Sequence, residues 1–155
     1  MQNVSLISKT QGEKLPIAGG EYRIIVDGSQ TDGAYAMIEM NVPPNGGPNP
    51  HKHPGFEETF LVLEGEVEFT SENGKSIARK GDLVRIPKGG PIHCFKNKSG
   101  ESAKLLCTVV PAGLDEFFRK AAVIAENASA EAFPSEMKHL SEQSGQELFP
   151  PDYFG

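Results

Sequence analysis

The chain has 155 residues, 37% hydrophobic and 23% charged, with 17 Gly, 12 Pro, two Cys and a net charge of −6. That length builds one domain with its own core, without disulfide staples, and an acidic chain with no basic run excludes electrostatic capture by nucleic acid or an anionic membrane. No apolar run approaches the roughly 18 residues of a membrane span and no cationic segment leads into an apolar one at the N-terminus, so a cytoplasmic protein acting on a small molecule is expected.

Residues 1–20 are polar and glycine-ended, and read as a leading arm or an early edge strand. Strand signals then follow at Glu21 to Val26, Ala34 to Val42, Glu58 to Phe69, Ser76 to Ala78, Leu83 to Ile86, His93 to Lys96 and Lys104 to Val110. Asp27-Gly28, Asp32-Gly33, Asn73-Gly74 and Ser99-Gly100 supply turns, because glycine accepts positive φ without steric cost. Lys80-Gly81-Asp82 is a further break. Short strands between turns predict a mainly β domain, a sandwich or barrel, and no internal repeat appears.

After Pro111-Ala112-Gly113 the period changes. Leu114, Phe117, Phe118, Ala121 and Ala125 recur at helical spacing, with Asp115 and Glu116 in the first turn where the helix dipole favours negative charge. A helix of about three turns is expected. Pro134-Ser135 reads as a second start, with Ser135 as N-cap, Met137 and Leu140 inward and Gly145 as terminator. The expected organisation is therefore a single domain over 1–155, with a barrel core at about 21–111 and a short helical appendage at about 112–155.

Three of the four histidines, His51, His53 and His93, fall in the segments that read as strand, turn and strand. His51 and His53 are two apart, and a strand's period of two puts both imidazoles on one face. A carboxylate, Glu57 or Glu58, follows closely. Three neutral imidazoles and a carboxylate suit one divalent ion such as iron, manganese, nickel, copper or zinc and can leave positions open for substrate. His139 lies in a polar stretch without a second ligand nearby and reads as a solvated surface histidine.

These residues resemble the two signature motifs of the cupins, small β-barrels. The first pattern is His-x-His, three or four residues, Glu, then six residues and Gly; Glu58 satisfies it with Gly65, and Glu57 fails the count. The second is Gly, five residues, Pro-x-Gly, two residues, His, three residues and Asn, met by Gly81, Pro87, Gly89, His93 and Asn97 with one extra residue, or with Gly90 as the turn glycine. The first motif departs too, with Asn45 where a glycine is expected and Gly46 one place late. The resemblance spans roughly 35 to 113. It implies a double-stranded β-helix, or jelly-roll barrel, with His51, His53, Glu58 and His93 as metal ligands. Pro-Ala-Gly before a Phe-Phe helix, with Phe-Pro-Pro near the end, also resembles single-domain type 2 cupins described as quercetin-dioxygenase-like.

What that resemblance implies for chemistry is dioxygenation of a phenolic, flavonol or diketone-like substrate, with Glu58 as catalytic base. Cupins with these ligands also include isomerases, decarboxylases and non-catalytic binding or sensing proteins. Along the strand after the first turn, Glu58, Phe60 and Val62 share one face, as do His93, Phe95 and Asn97. If the ligands point inward, Phe60, Val62 and Phe95 line the cavity and make contact with substrate, and desolvation there raises the pKa of Glu58. Cys94 and Cys107 read as reduced thiols. If His93 to Asn97 pairs with Ala103 to Cys107, Cys107 faces the cavity beside His93, and a one-residue slip reverses it. The apolar stripe Leu114, Phe117, Phe118, Ala121 suggests a homodimer; the alternative is that it folds back on its own barrel.

Overall fold

The computed structural model describes residues 3–155 and arranges them as two antiparallel sheets around a common core, the jelly-roll barrel expected. The strands are β1 (Glu13–Ile17), β2 (Gly20–Val26), β3 (Ala36–Val42), β4 (His51–Lys52), β5 (Glu57–Glu64), β6 (Glu66–Ser71), β7 (Gly74–Arg79), β8 (Leu83–Ile86), β9 (His93–Lys96), β10 (Ala103–Val110) and β11 (Glu147–Leu148). One sheet has the order β1-β2-β3-β10-β5-β8 and the other β11-β4-β9-β6-β7. Helices α1 (Leu114–Asn127) and α2 (Phe133–Gln143) follow the barrel.

Alternation builds the core. On β3, Ala36, Ile38, Met40 and Val42 turn inward, and on β10 so do Ala103, Leu105, Cys107 and Val109. The register sets Leu105 opposite Met40 and Cys107 opposite Ile38, so both rows bury the same face. Each fully buried aliphatic side chain there contributes about 1.5–3 kcal/mol.

The stretch from Glu58 to Phe69, expected as one strand, is two. Gly65, at φ 74, carries the chain from the six-stranded sheet to the five-stranded one. A Cβ at this glycine would lie 3.1 Å from the Cα of Ala103. The crossing also switches parity: Glu58, Phe60 and Val62 face inward on β5, whereas Val67 and Phe69 do so on β6.

A second expected pairing is replaced. β9 lies between β4 and β6, and β10 between β3 and β5, so His93 to Asn97 does not pair with Ala103 to Cys107. Asn97 anchors the crossing between sheets. Its buried Nδ2 donates to the carbonyls of Val42 and Glu101 at 3.0 and 2.7 Å, and its Oδ1 accepts from the backbone N–H and hydroxyl of Ser99 at 2.9 and 2.7 Å.

The helical appendage differs in detail from the sequence reading. α1 runs for 14 residues, and Asp115 accepts from the backbone N–H groups of Gly28 and Gly113, both at 2.9 Å, tying the helix start to the β2–β3 connection. Its apolar stripe packs on its own barrel: Leu114 and Ala121 are buried, and Phe118 meets Tyr22 edge-on at 5.0 Å. α2 begins two residues before Ser135, capped at Ala132, because Pro134 is tolerated in a first turn whose N–H groups lack helical partners. Ser135 therefore lies inside the helix, its hydroxyl donating to the Ala132 carbonyl. The end follows expectation, with Gly145 at φ 75 and Gln146 N–H bonded to the Ser141 carbonyl, which satisfies the last carbonyls. β11, absent from the sequence reading, then returns the chain to pair with β4.

Candidate metal centre

Four side chains converge where β4, β5 and β9 meet. His51 and His93 are direct cross-strand partners, and Glu58, near the start of β5, lies opposite Val109 and Ile86. Only His51 of the His-x-His pair lies in a strand. His53 is held by the turn that follows, its ring stacked on Phe56 at 4.2 Å and 8°. His51, His53, Glu58 and His93 are all buried, and their ligand atoms lie within 4.8 Å of one another. Glu57 instead points outward to Arg85, at 2.7 and 3.0 Å.

Backbone carbonyls select the imidazole tautomers. With each Nδ1 protonated, His51 donates to Asn49 O at 2.8 Å, His53 to Phe56 O at 3.3 Å and His93 to Pro91 O at 3.0 Å. Each Nε2 lone pair is thereby left facing the centre. His53 Nε2 lies 3.1 Å from His93 Nε2, and Glu58 Oε2 lies 2.7 Å from the first and 3.8 Å from the second. Oε2 is buried and has no satisfactory hydrogen-bond geometry with any protein donor. Lone pairs gathered this closely in a dry site repel unless a proton or cation lies among them. Three imidazole nitrogens and one carboxylate oxygen are the donor set a first-row divalent ion takes, so the residues fit one such ion.

Burial pushes the His53 pKa down, but Glu58 more than compensates, and the net shift is upward. Burial and the neighbouring His93 depress His51 to about 4. The expected rise at Glu58 is reversed: burial does push its carboxyl up, but the His53 and His93 imidazoles beside it outweigh that and bring the pKa to about 2.

The irregular loops absorb their sequence departures. Asn45 adopts φ 66, the conformation a glycine would take, and its N–H donates to Asn97 O at 2.7 Å while Gly46 O accepts from Asn97 N–H at 2.9 Å. In the second motif Gly89 takes the positive φ, at 70, and Gly90 closes the turn onto the Pro87 carbonyl at 2.9 Å. Gly90 is thus the inserted residue.

Cys107 faces inward, beside Glu58 rather than His93, with Sγ 3.7 Å from Oε1. Burial holds its thiol protonated, well above the usual range. Phe60, Val62 and Phe95 are buried in the core, where Phe60, Phe95 and Phe69 form a triad with 5.4 Å between each pair of centroids. Phe69 is the member of that triad on the wall of a cleft of about 570 Å³ that reaches His93 between β7 and β8. Sequence reasoning missed Phe69, Val84 and Ile86 as cleft residues; the glycine at position 65 was the signal that the inward face changes there. A larger apolar groove of about 760 Å³ separates α1 from α2 and contains none of the four ligands. His139 lies on that groove, exposed, as expected of a surface histidine.

Residues 38–109 match the family described as Cupin domain. The chain is 41% identical over 76 residues to a probable germin-like protein (subfamily 2 member 5) of Arabidopsis thaliana, covering 46% of this chain and 35% of that protein. It is 23% identical over 135 residues to the quercetin 2,3-dioxygenase of Bacillus subtilis (strain 168), covering 87% of this chain and 39% of that one. The chain thus spans little more than a third of either relative. Among solved structures, the polyketide cyclase RemF of Streptomyces resistomycificus superposes with a TM-score of 0.60 at 23% identity, over 70% of this chain and 80% of that one, a likeness of fold.

Proposed function

The chain belongs to the cupin superfamily, and from that premise we propose that it is a metal-dependent enzyme that dioxygenates a phenolic, flavonol or diketone-like substrate. The observation that carries the metal reading is the set of three imidazoles whose Nδ1–H groups are spent on backbone carbonyls, leaving three Nε2 atoms around Glu58 Oε2. His51, His53, Glu58 and His93 would hold one iron, manganese, nickel, copper or zinc ion. Bound there, it would supply Lewis-acid polarisation of a substrate oxygen. The match to a quercetin 2,3-dioxygenase over 87% of the chain is what supports dioxygenation; isomerisation and decarboxylation are the alternatives.

Glu58 is the one carboxylate at the centre, and its low pKa keeps it ionised at neutral pH. It is therefore a weak base, able to deprotonate only a hydroxyl that is itself acidic. Enols and phenols meet that requirement and simple alcohols do not. Buried Phe60, Phe69 and Phe95 make the barrel interior apolar, and a water-poor surrounding strengthens electrostatic contacts at the centre.

The test is metal analysis of freshly purified protein, followed by oxygen uptake of the reconstituted protein with phenols, flavonols and acidic diketones. Stoichiometric metal and substrate-dependent oxygen consumption are expected. Turnover without oxygen consumption would move the assignment to an isomerase or decarboxylase, and binding without turnover to a sensing protein.

A further inference from the structure

We infer that substrate enters between β7 and β8 and that the site selects a molecule with an apolar body and a single ionisable hydroxyl, rejecting dicarboxylates and phosphates. The inference rests on the metal reading above and adds to it the route and the charge of the ligand. β7 ends the five-stranded sheet and β8 ends the six-stranded one. The barrel is unclosed between them, and the cleft of about 570 Å³ lies in that gap. It reaches from an exposed rim at Ile77 and Leu83 to His93, past Phe69, Val84, Ile86 and Pro91.

Charge decides what fits. Three neutral imidazoles and the Glu58 carboxylate leave a divalent ion with one net positive charge, enough to neutralise one anionic oxygen. Nothing on the cleft wall offers a second. Arg85, its one cationic side chain, is committed to Glu57 through two hydrogen bonds of 2.7 and 3.0 Å. Asp82, its one carboxylate, already accepts from the Arg79 N–H at 2.8 Å. A second carboxylate or a phosphate entering here would lose hydration without gaining a counter-charge, which disfavours it. An aromatic or aliphatic body would instead bury apolar surface against Phe69, Val84 and Ile86.

Ligand binding to the cobalt(II)-loaded full chain tests this, read from cobalt absorption and hydroxyflavone fluorescence. 3-Hydroxyflavone is expected to bind at least about tenfold more tightly than oxalate, a difference of about 1.4 kcal/mol. Ser76→Trp and Val84→Trp fill the cleft from opposite walls, since Ser76 lies across from inward-facing Phe69 and Val84 across from inward-facing Phe60. Either one that folds should weaken 3-hydroxyflavone at least about tenfold, while azide still perturbs the cobalt spectrum and cobalt stoichiometry is unchanged. Oxalate binding more tightly than 3-hydroxyflavone would overturn the charge selection. Unchanged hydroxyflavone affinity in the folded wall variants would overturn the route. Failure of the wild-type chain to bind cobalt would overturn the metal reading, and this inference with it.

Discussion

His53 is the residue on which the charge state of the centre turns. Burial lowers its pKa, but the neighbouring Glu58 carboxylate outweighs that and raises it above 6.5. That contribution to stability is complete below 6.5 and is lost as pH climbs through the raised value. His51 runs the other way: at about 4 the folded chain refuses a proton that the unfolded chain takes, so stability falls as pH drops from 6.5 toward 4. Glu58, at about 2, stabilises the fold above its ordinary 4.5 and loses that contribution as pH falls through 2. A metal ion must displace the His53 proton, so cobalt affinity is expected to rise between about pH 5.5 and about pH 8, with about one proton released per ion. Calorimetry in buffers of different ionisation enthalpy measures this, and pH-independent affinity would contradict it. Replacing His51 or His93 with alanine should reduce bound metal severely, whereas His139→Ala should leave it unchanged by elemental analysis. Glu58→Gln keeps an oxygen donor and removes the basic carboxylate. Metal should remain detectable while turnover falls about 100- to 10,000-fold; intact turnover would show that Glu58 is not the base.

Among the elements, the loop before β4 determines whether the ligands meet. Gly47 lies at φ 139 with its position for a Cβ only 2.0 Å from the carbonyl oxygen of Phe95. Gly47→Ala should therefore destabilise the chain by more than about 2 kcal/mol. Gly55, in the turn between the ligands, has open space around it, and Gly55→Ala should stay within about 0.5 kcal/mol of wild type. Asn97 is joined to this loop by backbone hydrogen bonds with Asn45 and Gly46, and its side chain makes four more, one to the Val42 carbonyl and three within the turn from Ser99 to Glu101. Asn97→Ala removes the four side-chain bonds, the one to Val42 being buried, and should cost about 3 kcal/mol. Urea denaturation midpoints of the three variants check the order, and equal midpoints would remove the loop from the argument.

For the whole molecule, Arg119 ties the helical appendage to the barrel. From α1 it reaches Glu13 on β1 at 2.7 Å and Asp27 at 2.9 Å, and it also pairs with Glu116. With α1 packed this way, the apolar stripe from Leu114 to Ala121 is used within the chain and no longer argues for a dimer. We retain the homodimer as a proposal on another surface. Val4 and Leu6 are exposed on an arm ahead of β1, the outer strand of its sheet, whose outer edge pairs with no strand among the described residues and can pair with another chain. Light scattering should give twice the mass of the 16.7 kDa chain, falling to the monomer in a Val4→Ser, Leu6→Ser variant. A wild-type mass near that of one chain would end the dimer proposal. Among the described residues no helix is long and apolar enough to cross a membrane.

Much of the candidate centre was legible in the sequence because its determinants are local. Imidazole and carboxylate chemistry belongs to His51, His53, Glu58 and His93 wherever they lie, and the glycines that punctuate the strands carry their backbone freedom with them. Counting six residues from Glu58 to Gly65 was enough to separate it from Glu57, which the structure turns outward to Arg85. Tertiary structure decided what depends on residues far apart in the chain. Partners for β9 and β10 were set by closure of two sheets, a contest among strands that no hairpin turn determines alone. The single-residue crossing at Gly65 reversed the inward face and brought Phe69 to the cleft. The pKa of Glu58 fell rather than rose because His93, thirty-five positions away by residue number, lies 3.8 Å from the same carboxylate oxygen that His53 approaches to 2.7 Å. Burial alone could be anticipated from an apolar strand, but the field of two imidazoles from separate strands exists only once the barrel has closed.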